Sequence, residues 1–243
     1  MKRLVVGLGS LLVAVLSMGP AAASLDSEAP DDVEFIFARI RYHMTEDAFW
    51  EQRRELPWHH DHPLSEEAYL TILKEVSQVH TAPNAYQIVD IDSPDIFKFP
   101  YLYICEPGYM DLNEKDTKNL REYLERGGFI FFDDFRGQRH LQNLLYQMKK
   151  VFPNRNVVPL TLRHTIFDTF YKMESLDMRP PYGNAPVEFW GMENDNGSLM
   201  MVVNYNNDFG ELWQWLDEGT ASLQDAAESL KFGTNYLMYA FTH

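Results

Sequence analysis

Two adjacent carboxylates, Asp133 and Asp134, directly follow an apolar run at residues 129–132. Carboxylate oxygens bind divalent cations such as Mg²⁺, Ca²⁺ or Zn²⁺, and they accept hydrogen bonds from the hydroxyl groups of sugars. Other polar side chains stand at or just after the ends of further apolar runs, namely Arg41, Tyr42, Asp90, Asp92 and Glu106. We therefore expect a site for a small polar ligand, with Asp133 and Asp134 as its candidate metal ligands.

A pair of aspartates after a strand also has an ordinary structural explanation. Either Asp133 or Asp134 would cap the following helix, while its neighbour would pair with Arg41 or Arg136. Two carboxylates so close together repel each other, which raises one pKa unless a cation, an arginine or backbone N–H groups compensate. The sequence leaves both the ligand site and the capping role open.

A second group of possible metal ligands is a local string on the chain, His59-His60-Asp61-His62. Contiguous histidines on a loop bind metal ions loosely, whereas a built site takes ligands from separated positions that further hydrogen bonds hold in place. We therefore expect only adventitious metal binding at this string. The aromatic side chains around it would suit the flat face of a sugar, but such residues are more often anchors of the core.

Two common catalytic motifs are absent from the sequence. Residues 41–45, which follow the first apolar run, contain neither the glycines nor the lysine of a phosphate-binding loop. No serine stands on a strand-to-helix elbow with a histidine and an acid in the required order. The sequence therefore supports neither nucleotide binding in the usual mode nor serine-hydrolase chemistry.

The elements that must position the candidate residues alternate between strands and helices. Apolar runs typical of buried strands lie at residues 33–42, 86–91, 101–105, 129–132 and 157–160. Helices are predicted from Ser65, from Asn113 with Asp116 as its capping partner, and through residues 141–151. This alternation predicts an α/β fold with a doubly wound, mostly parallel sheet, in which ligands bind outside the carboxyl ends of the strands.

The last part of the sequence departs from this alternation. Residues 189–193 and 199–205 flank a short turn and predict an antiparallel β-hairpin. Residues 222–241 predict a closing helix in which Gly233 is a weak point, because glycine is a poor helix former. Residues 43–63 carry no clear periodicity and are expected to form a long loop.

The N-terminal residues predict export. Lys2 and Arg3 precede an apolar run and a small-residue site, a pattern typical of a signal peptide that is cleaved after Ala23. We expect residues 1–23 to be this signal peptide, residues 24–32 a flexible tether, and residues 33–243 a single domain. The expected location is the periplasm or the medium, without a stable membrane anchor after cleavage.

Charge and cysteine content restrict the partners and the means of stabilisation. The formal net charge is −15, and removal of Lys2 and Arg3 would lower it to −17. Such a surface repels phosphate backbones and anionic lipids, so nucleic acid is not an expected partner. Cys105 is the only cysteine. It cannot form an intrachain disulfide, and stability must come from the core.

Short pieces of sequence between Phe35 and Phe241 occur in a characteristic order and spacing. They are Phe37-Ala38-Arg39, Pro100-Tyr101-Leu102-Tyr103, Gly127-Gly128-Phe129, Asp133-Asp134 with Gly137, Val151-Phe152-Pro153, His164 with Ile166-Phe167, Asn206-Asn207-Asp208 with Gly210 and Trp213, and Gly233 with Asn235. In these pieces the chain resembles the bacterial family called domain of unknown function 4159. The resemblance implies a class I glutamine amidotransferase-like (flavodoxin-like) fold. It also adds His164, Asn206 and Asp208 to the candidate ligand-binding residues.

One departure from that fold group bears on activity. Its amidotransferases place a nucleophilic cysteine on a sharp turn after a central strand, two residues before a glycine. Here the residue two before Gly137 is Phe135, and Cys105 ends the preceding strand instead. We therefore expect no glutamine amidotransferase activity and a buried, unreactive thiol at Cys105.

Two functions follow from these patterns. The first is a non-catalytic periplasmic domain on an amidotransferase-like scaffold, which binds a small polar ligand or an envelope protein partner. The alternative is a metal-assisted hydrolase acting on a sugar or another small polar substrate, with Asp133, Asp134 and His164 at its centre. A cation held by these carboxylates would favour the hydrolase, whereas an aspartate that only caps a helix would favour the binding domain.

Overall fold

The computed structural model describes residues 33–51, 55–219 and 222–243. The expected signal peptide with its cleavage site after Ala23, and the expected tether at residues 24–32, lie outside the described residues. In the part of the chain that is described, no helix is both long and apolar enough to cross a lipid bilayer.

In the described residues, seven strands form one sheet with the order β2-β1-β3-β4-β7-β6-β5. The strands are β1 Phe37–Arg41, β2 Tyr86–Asp90, β3 Tyr101–Cys105, β4 Phe129–Phe135, β5 Val158–Pro159, β6 Glu188–Glu193 and β7 Leu199–Tyr205. Neighbours from β2 through β7 pair in parallel, whereas β6 pairs antiparallel with both β7 and β5. The predictions of an α/β fold with a mostly parallel sheet, and of an antiparallel hairpin, are confirmed.

Six helices accompany the sheet in the described residues. They are α1 Ala48–Glu51, α2 Leu64–Val76, α3 Glu114–Glu125, α4 Gln138–Val151, α5 Phe209–Glu218 and α6 Leu223–Thr242. One apolar core includes Leu120 of α3 and Leu144 of α4. A second core includes Tyr69 of α2, Trp213 of α5 and Tyr236 of α6. Helices therefore cover both faces, and every residue of the central strands β3, β4 and β7 is buried.

The structure corrects the predicted end of β4. The strand does not stop before Asp133 but continues through Asp134 to Phe135, and all seven of its residues are buried. Asp133 lies on the same face of the strand as Phe131, which packs in the core beside α5. The two aspartates are thus part of the central sheet, and they need partners inside the protein.

The helix boundaries are predicted best where a local cap determines them. The capping box of α3, formed by Asn113 and Asp116, is confirmed. In contrast, Ser65 does not cap α2, which begins at Leu64, because its hydroxyl contacts Arg39 instead. The described part of the loop predicted at residues 43–63 contains the short helix α1 and one 3-10 turn at Pro57–His59.

The glycine in the closing helix is a packing requirement and not a weak point. A Cβ at Gly233 would lie 2.7 Å from Cζ2 of Trp213 and 3.1 Å from a ring carbon of Tyr69. The missing side chain therefore lets α6 approach the stacked rings of α2 and α5. Helix α5 itself was not predicted, although it contacts both α2 and α6.

Candidate functional site

The carboxyl ends of β3 and β4 border a crevice with a volume of about 440 Å³. This volume is within the range of roughly 300–1,000 Å³ that is usual for small-molecule sites. The residues that line it are His60, Glu106, Tyr109, Asp134, Phe135, Arg136, His140 and Tyr182. The crevice lies where parallel sheets bind ligands, and its lining combines acids, bases and aromatic rings.

Asp134 is the most deeply buried charged group of this lining, with 1% of the residue exposed. The positive φ of 52° and a pairing irregularity between β4 and β7 re-aim its side chain, as β-bulges do. Its carboxylate lies 2.8 Å from Nδ1 of His60, 3.4 Å from a nitrogen of Arg136 and 3.6 Å from Sγ of Cys105. Three polar groups from separate parts of the chain therefore converge on one carboxylate.

His60 and Asp134 form a charged pair. The hydrogen bond to Asp134 raises the pKa of His60 to about 10, although partial burial opposes this shift. Burial also acts against the charged form of Asp134, but the hydrogen bond and the charge of His60 outweigh it and lower the pKa of Asp134. A histidine that the sequence assigned to adventitious binding thus carries a positive charge beside the crevice.

The loop that carries His60 is held by Arg39, a fully buried residue of β1. The guanidinium of Arg39 donates hydrogen bonds to the backbone oxygens of Trp58 at 3.2 Å and of His60 at 2.9 Å. Its charge is balanced by Glu66 of α2, which is equally buried and forms an ion pair with it. The position of His60 therefore depends on a buried salt bridge between β1 and α2.

Asp133 has surroundings that differ completely from those of its neighbour. One oxygen of its carboxylate accepts hydrogen bonds from the backbone N–H groups of Phe209 and Gly210, at 2.8 and 3.1 Å, in the first turn of α5. Tyr103 and Asn204 donate two more, each at 3.2 Å. Burial raises the pKa of Asp133 to about 7, with the charge of Asp134 adding to the shift and the backbone donors opposing it. Asp133 therefore ties β4 to the positive end of α5.

Asp134 also belongs to a cluster of three carboxylates. Oxygen atoms of Asp61, Asp134 and Asp208 all lie within 4.8 Å of one another. Burial, followed by the charges of neighbouring carboxylates, raises the pKa of Asp208 well above its usual value. Burial likewise raises the pKa of Asp61 to about 8, against the opposing charge of His60. Among the residues that the structure describes, two further sets have the spacing for a metal ion: His60, Cys105 and Asp134, and His60, Asp61 and Glu211.

Three of the predicted ligand-binding residues make contacts within the protein. Arg41 pairs with Asp90 at the exposed ends of β1 and β2. The hydroxyl of Tyr42 lies 2.9 and 2.7 Å from the backbone oxygens of Cys105 and Glu106. Asn206 accepts a hydrogen bond from the N–H of Gly137 and donates one to the carbonyl of Pro186. Tyr42 and Asn206 thus hold the loops beside the crevice.

His164 does not join the aspartates. It caps a 3-10 turn by accepting a hydrogen bond from the N–H of Ile166, and it lies 3.5 Å from Glu193. Glu193 pairs with Leu199, the first residue of β7, so it marks the amino end of the parallel strands and not the carboxyl end. The centre expected for the hydrolase, which combined His164 with Asp133 and Asp134, is therefore not assembled in the structure.

Several residues of the site were missed by the sequence analysis. His60 and Asp61 were assigned to an adventitious string, and no periodic pattern marks them because they lie in an irregular segment. Glu211 and Tyr182 were not singled out, yet their side chains hydrogen-bond to each other. The signal that was available for Glu211 is the start of α5, where Asp208 accepts a hydrogen bond from the N–H of Glu211.

The structure predicts that Cys105 is unreactive. Its thiol is fully buried, and burial raises its pKa well above the usual value, so little thiolate forms near neutral pH. We expect a maleimide reagent to label Cys105 only after denaturation, and Cys105→Ala to cost about 1 kcal/mol of stability. Rapid labelling of the folded protein, measured by mass spectrometry, would contradict this expectation.

The fold and the site together define an α/β protein with a polar, acid-rich crevice at the carboxyl edge of a mostly parallel sheet. The model of the family described as Domain of unknown function (DUF4159) matches residues 36–241, and the chain belongs to this family. The match confirms the resemblance that the sequence pieces indicated. A comparison with curated proteins gives no match.

Proposed function

We propose that this protein is a non-catalytic binding domain that takes a small hydroxyl-bearing ligand, such as a monosaccharide, into the crevice. The main support is the lining of the crevice at the carboxyl ends of β3 and β4. A volume of about 440 Å³ is sufficient for a ligand of that size. Ligand binding needs no nucleophile, and Phe135 occupies the position at which amidotransferases of the resembled fold group have their nucleophilic cysteine.

The polar groups of the crevice suit hydroxyl recognition. Asp134 offers a carboxylate, and Glu106 offers a carboxyl group whose pKa burial raises to about 9. Both have oxygens that accept hydrogen bonds from sugar hydroxyls, and Arg136 offers donors. Tyr182 is 41% exposed and has the guanidinium of Arg136 over its ring at 4.8 Å from the centroid. This contact holds the guanidinium of Arg136 at the crevice, where it is available to donate to a ligand hydroxyl.

We further propose that the binding domain works in the periplasm or outside the cell, on a scaffold similar to class I glutamine amidotransferases. Export is supported by the pattern of residues 1–23, a charged start followed by an apolar run and a small-residue site. The scaffold is supported by the order of the parallel strands β2-β1-β3-β4 with helices on both faces.

Thermal unfolding with sugar probes tests the binding function. We expect at least one of glucose, N-acetylglucosamine and galacturonate, at millimolar concentration, to raise the melting temperature of the protein. The variant Arg136→Ala should bind that probe about tenfold to a hundredfold more weakly, because a charged hydrogen bond is lost. Tyr182→Ala should weaken binding as well.

A matched control is Tyr146→Ala, which removes an exposed tyrosine from α4, outside the crevice lining. This variant should bind the probe as the wild type does. The proposal is wrong if none of the three sugars stabilises the wild type, or if the crevice variants and the control respond to the sugar equally.

A further inference from the structure

We propose that Asp61, Asp134 and Asp208 form a binding site for one hard divalent cation, of the Mg²⁺ or Ca²⁺ class. The three carboxylates come from the loop before α2, from β4 and from the residue that caps α5. Their oxygen atoms lie within 4.8 Å of one another. Opposite ligands of a Ca²⁺ ion at about 2.4 Å lie roughly that far apart, and those of Mg²⁺ somewhat closer.

Two oxygen atoms of this group are buried without a hydrogen-bond partner among the described residues. Asp208 is fully buried, and while its Oδ1 accepts a hydrogen bond from the N–H of Glu211, its Oδ2 has no such partner. Oδ2 of Asp61, whose side chain is 5% exposed, has none either. A buried polar atom is normally satisfied, so these two oxygens require either a bound cation or a proton shared with a neighbouring carboxylate.

Two positively charged side chains lie nearby, but neither contacts all three carboxylates. His60 pairs with Asp134 at 2.8 Å but lies 3.8 Å from Asp61. Arg136 is 3.4 Å from Asp134 and 3.8 Å from Asp208, and 46% of its side chain is exposed. Ionised together, three carboxylates in so small a volume would repel one another, and a divalent cation would remove that repulsion directly.

The ligand set differs from the one that the sequence suggested. The carboxylate of Asp133 accepts hydrogen bonds from four donors, two of them in α5, and is absent from the metal-like groups of the described residues. An all-oxygen set selects Mg²⁺ or Ca²⁺, whereas Zn²⁺ prefers nitrogen and sulfur ligands such as His60 and Cys105. The ion would enter through the crevice, because Asp134 belongs to its lining.

Calorimetric titration of the chelator-treated full chain with CaCl₂, MgCl₂ and ZnCl₂, without any sugar, tests this site independently of the proposed function. We expect one equivalent of Ca²⁺ or Mg²⁺ to bind. Asp208→Asn and Asp61→Asn should each weaken that binding at least about a hundredfold, because each removes a charged ligand. Asparagine at position 208 keeps an oxygen for the cap of α5, so this variant should still fold.

Asp116→Asn is the matched control, since Asp116 is also a fully buried carboxylate at the start of a helix, α3, with one oxygen lacking a partner. This variant should bind the cation as the wild type does. Wild-type protein that binds no cation at millimolar concentration would overturn the proposal and leave a shared proton between the carboxylates. If the protein binds only Zn²⁺, and Cys105→Ser abolishes that binding, the all-oxygen ligand set is wrong. If all variants bind the cation equally, the cation does not bind at these three aspartates.

Discussion

Replacing Glu66 with glutamine should cost about 3–5 kcal/mol of folding stability, because it leaves the charge of Arg39 buried without a counter-ion. Both side chains of this pair are fully buried. Glutamine has nearly the same volume as glutamate, so the loss reports the charge and not a cavity. Denaturant unfolding followed by circular dichroism measures the difference.

In Glu66→Gln we also expect the loop that carries His60 to change its position. Arg39 donates hydrogen bonds to the backbone oxygens of Trp58 and His60. Without the charge of Glu66, burial of the Arg39 guanidinium at this position is less favourable. Glu75→Gln, an exposed position on the same helix α2, is the matched control and should change stability by no more than about 0.5 kcal/mol. Equal stability of the two variants would contradict the role of the pair.

The same pair predicts a component of acid unfolding. Burial opposes the charged form of Glu66, but the charge of Arg39 and the hydrogen bond from His62 outweigh it and lower the pKa of Glu66 to about 2. A carboxyl whose pKa is lower in the folded state stabilises the protein above its usual pKa, and this contribution is lost as the pH falls toward 2. The stability difference between the wild type and Glu66→Gln should therefore shrink between about pH 4.5 and pH 2.

Asp133→Ala should cost about 4 kcal/mol, since four buried donors lose their acceptor at once. The backbone N–H groups of Phe209 and Gly210 and the side chains of Tyr103 and Asn204 all donate to this carboxylate. We also expect faster hydrogen exchange in the first turn of α5, because its N–H groups lose their acceptor.

Asp90→Ala is the control for Asp133→Ala. Asp90 ends the parallel strand β2, but its ion pair with Arg41 is exposed to solvent, and such pairs contribute at most about 1 kcal/mol. The stability loss of Asp133→Asn should lie between the losses of these two variants, because its single amide oxygen can accept hydrogen bonds from only some of the four donors. A loss for Asp133→Ala that does not exceed the loss for Asp90→Ala would contradict the role of Asp133.

The parts of the fold that the sequence predicted are those that local chemistry determines. The capping box of Asn113 and Asp116 lies within four residues, and the hairpin of β6 and β7 closes over a short turn. The apolar runs of β3 and β4 identify central strands, because buried strands need apolar side chains on both faces. Helix α5 escaped detection because its sequence, Phe209–Glu218, follows a polar stretch without a clear break from β7.

The candidate site was predictable only in its location. The carboxyl end of β4 was expected to carry it, and Asp134 lines a crevice there. Its contacts, however, join residues far apart in the chain: His60 and Asp134 are separated by 74 positions. Nothing in a local pattern distinguishes His60 from His59 beside it. The difference arises from the hydrogen bond that Arg39 donates to the loop.

The placement of β7 beside β4 has a consequence for how the chain must fold. Strand β7 follows β4 by more than sixty positions, yet it completes the central pairing and brings Asn204, Asp208 and α5 to Asp133. Until that late segment docks, β4 is an open edge with two charged side chains and a row of unpaired backbone groups, which invites association between chains. Long-range pairing of this kind slows folding. The first half of the sheet should therefore stay prone to association between chains until β7 has docked.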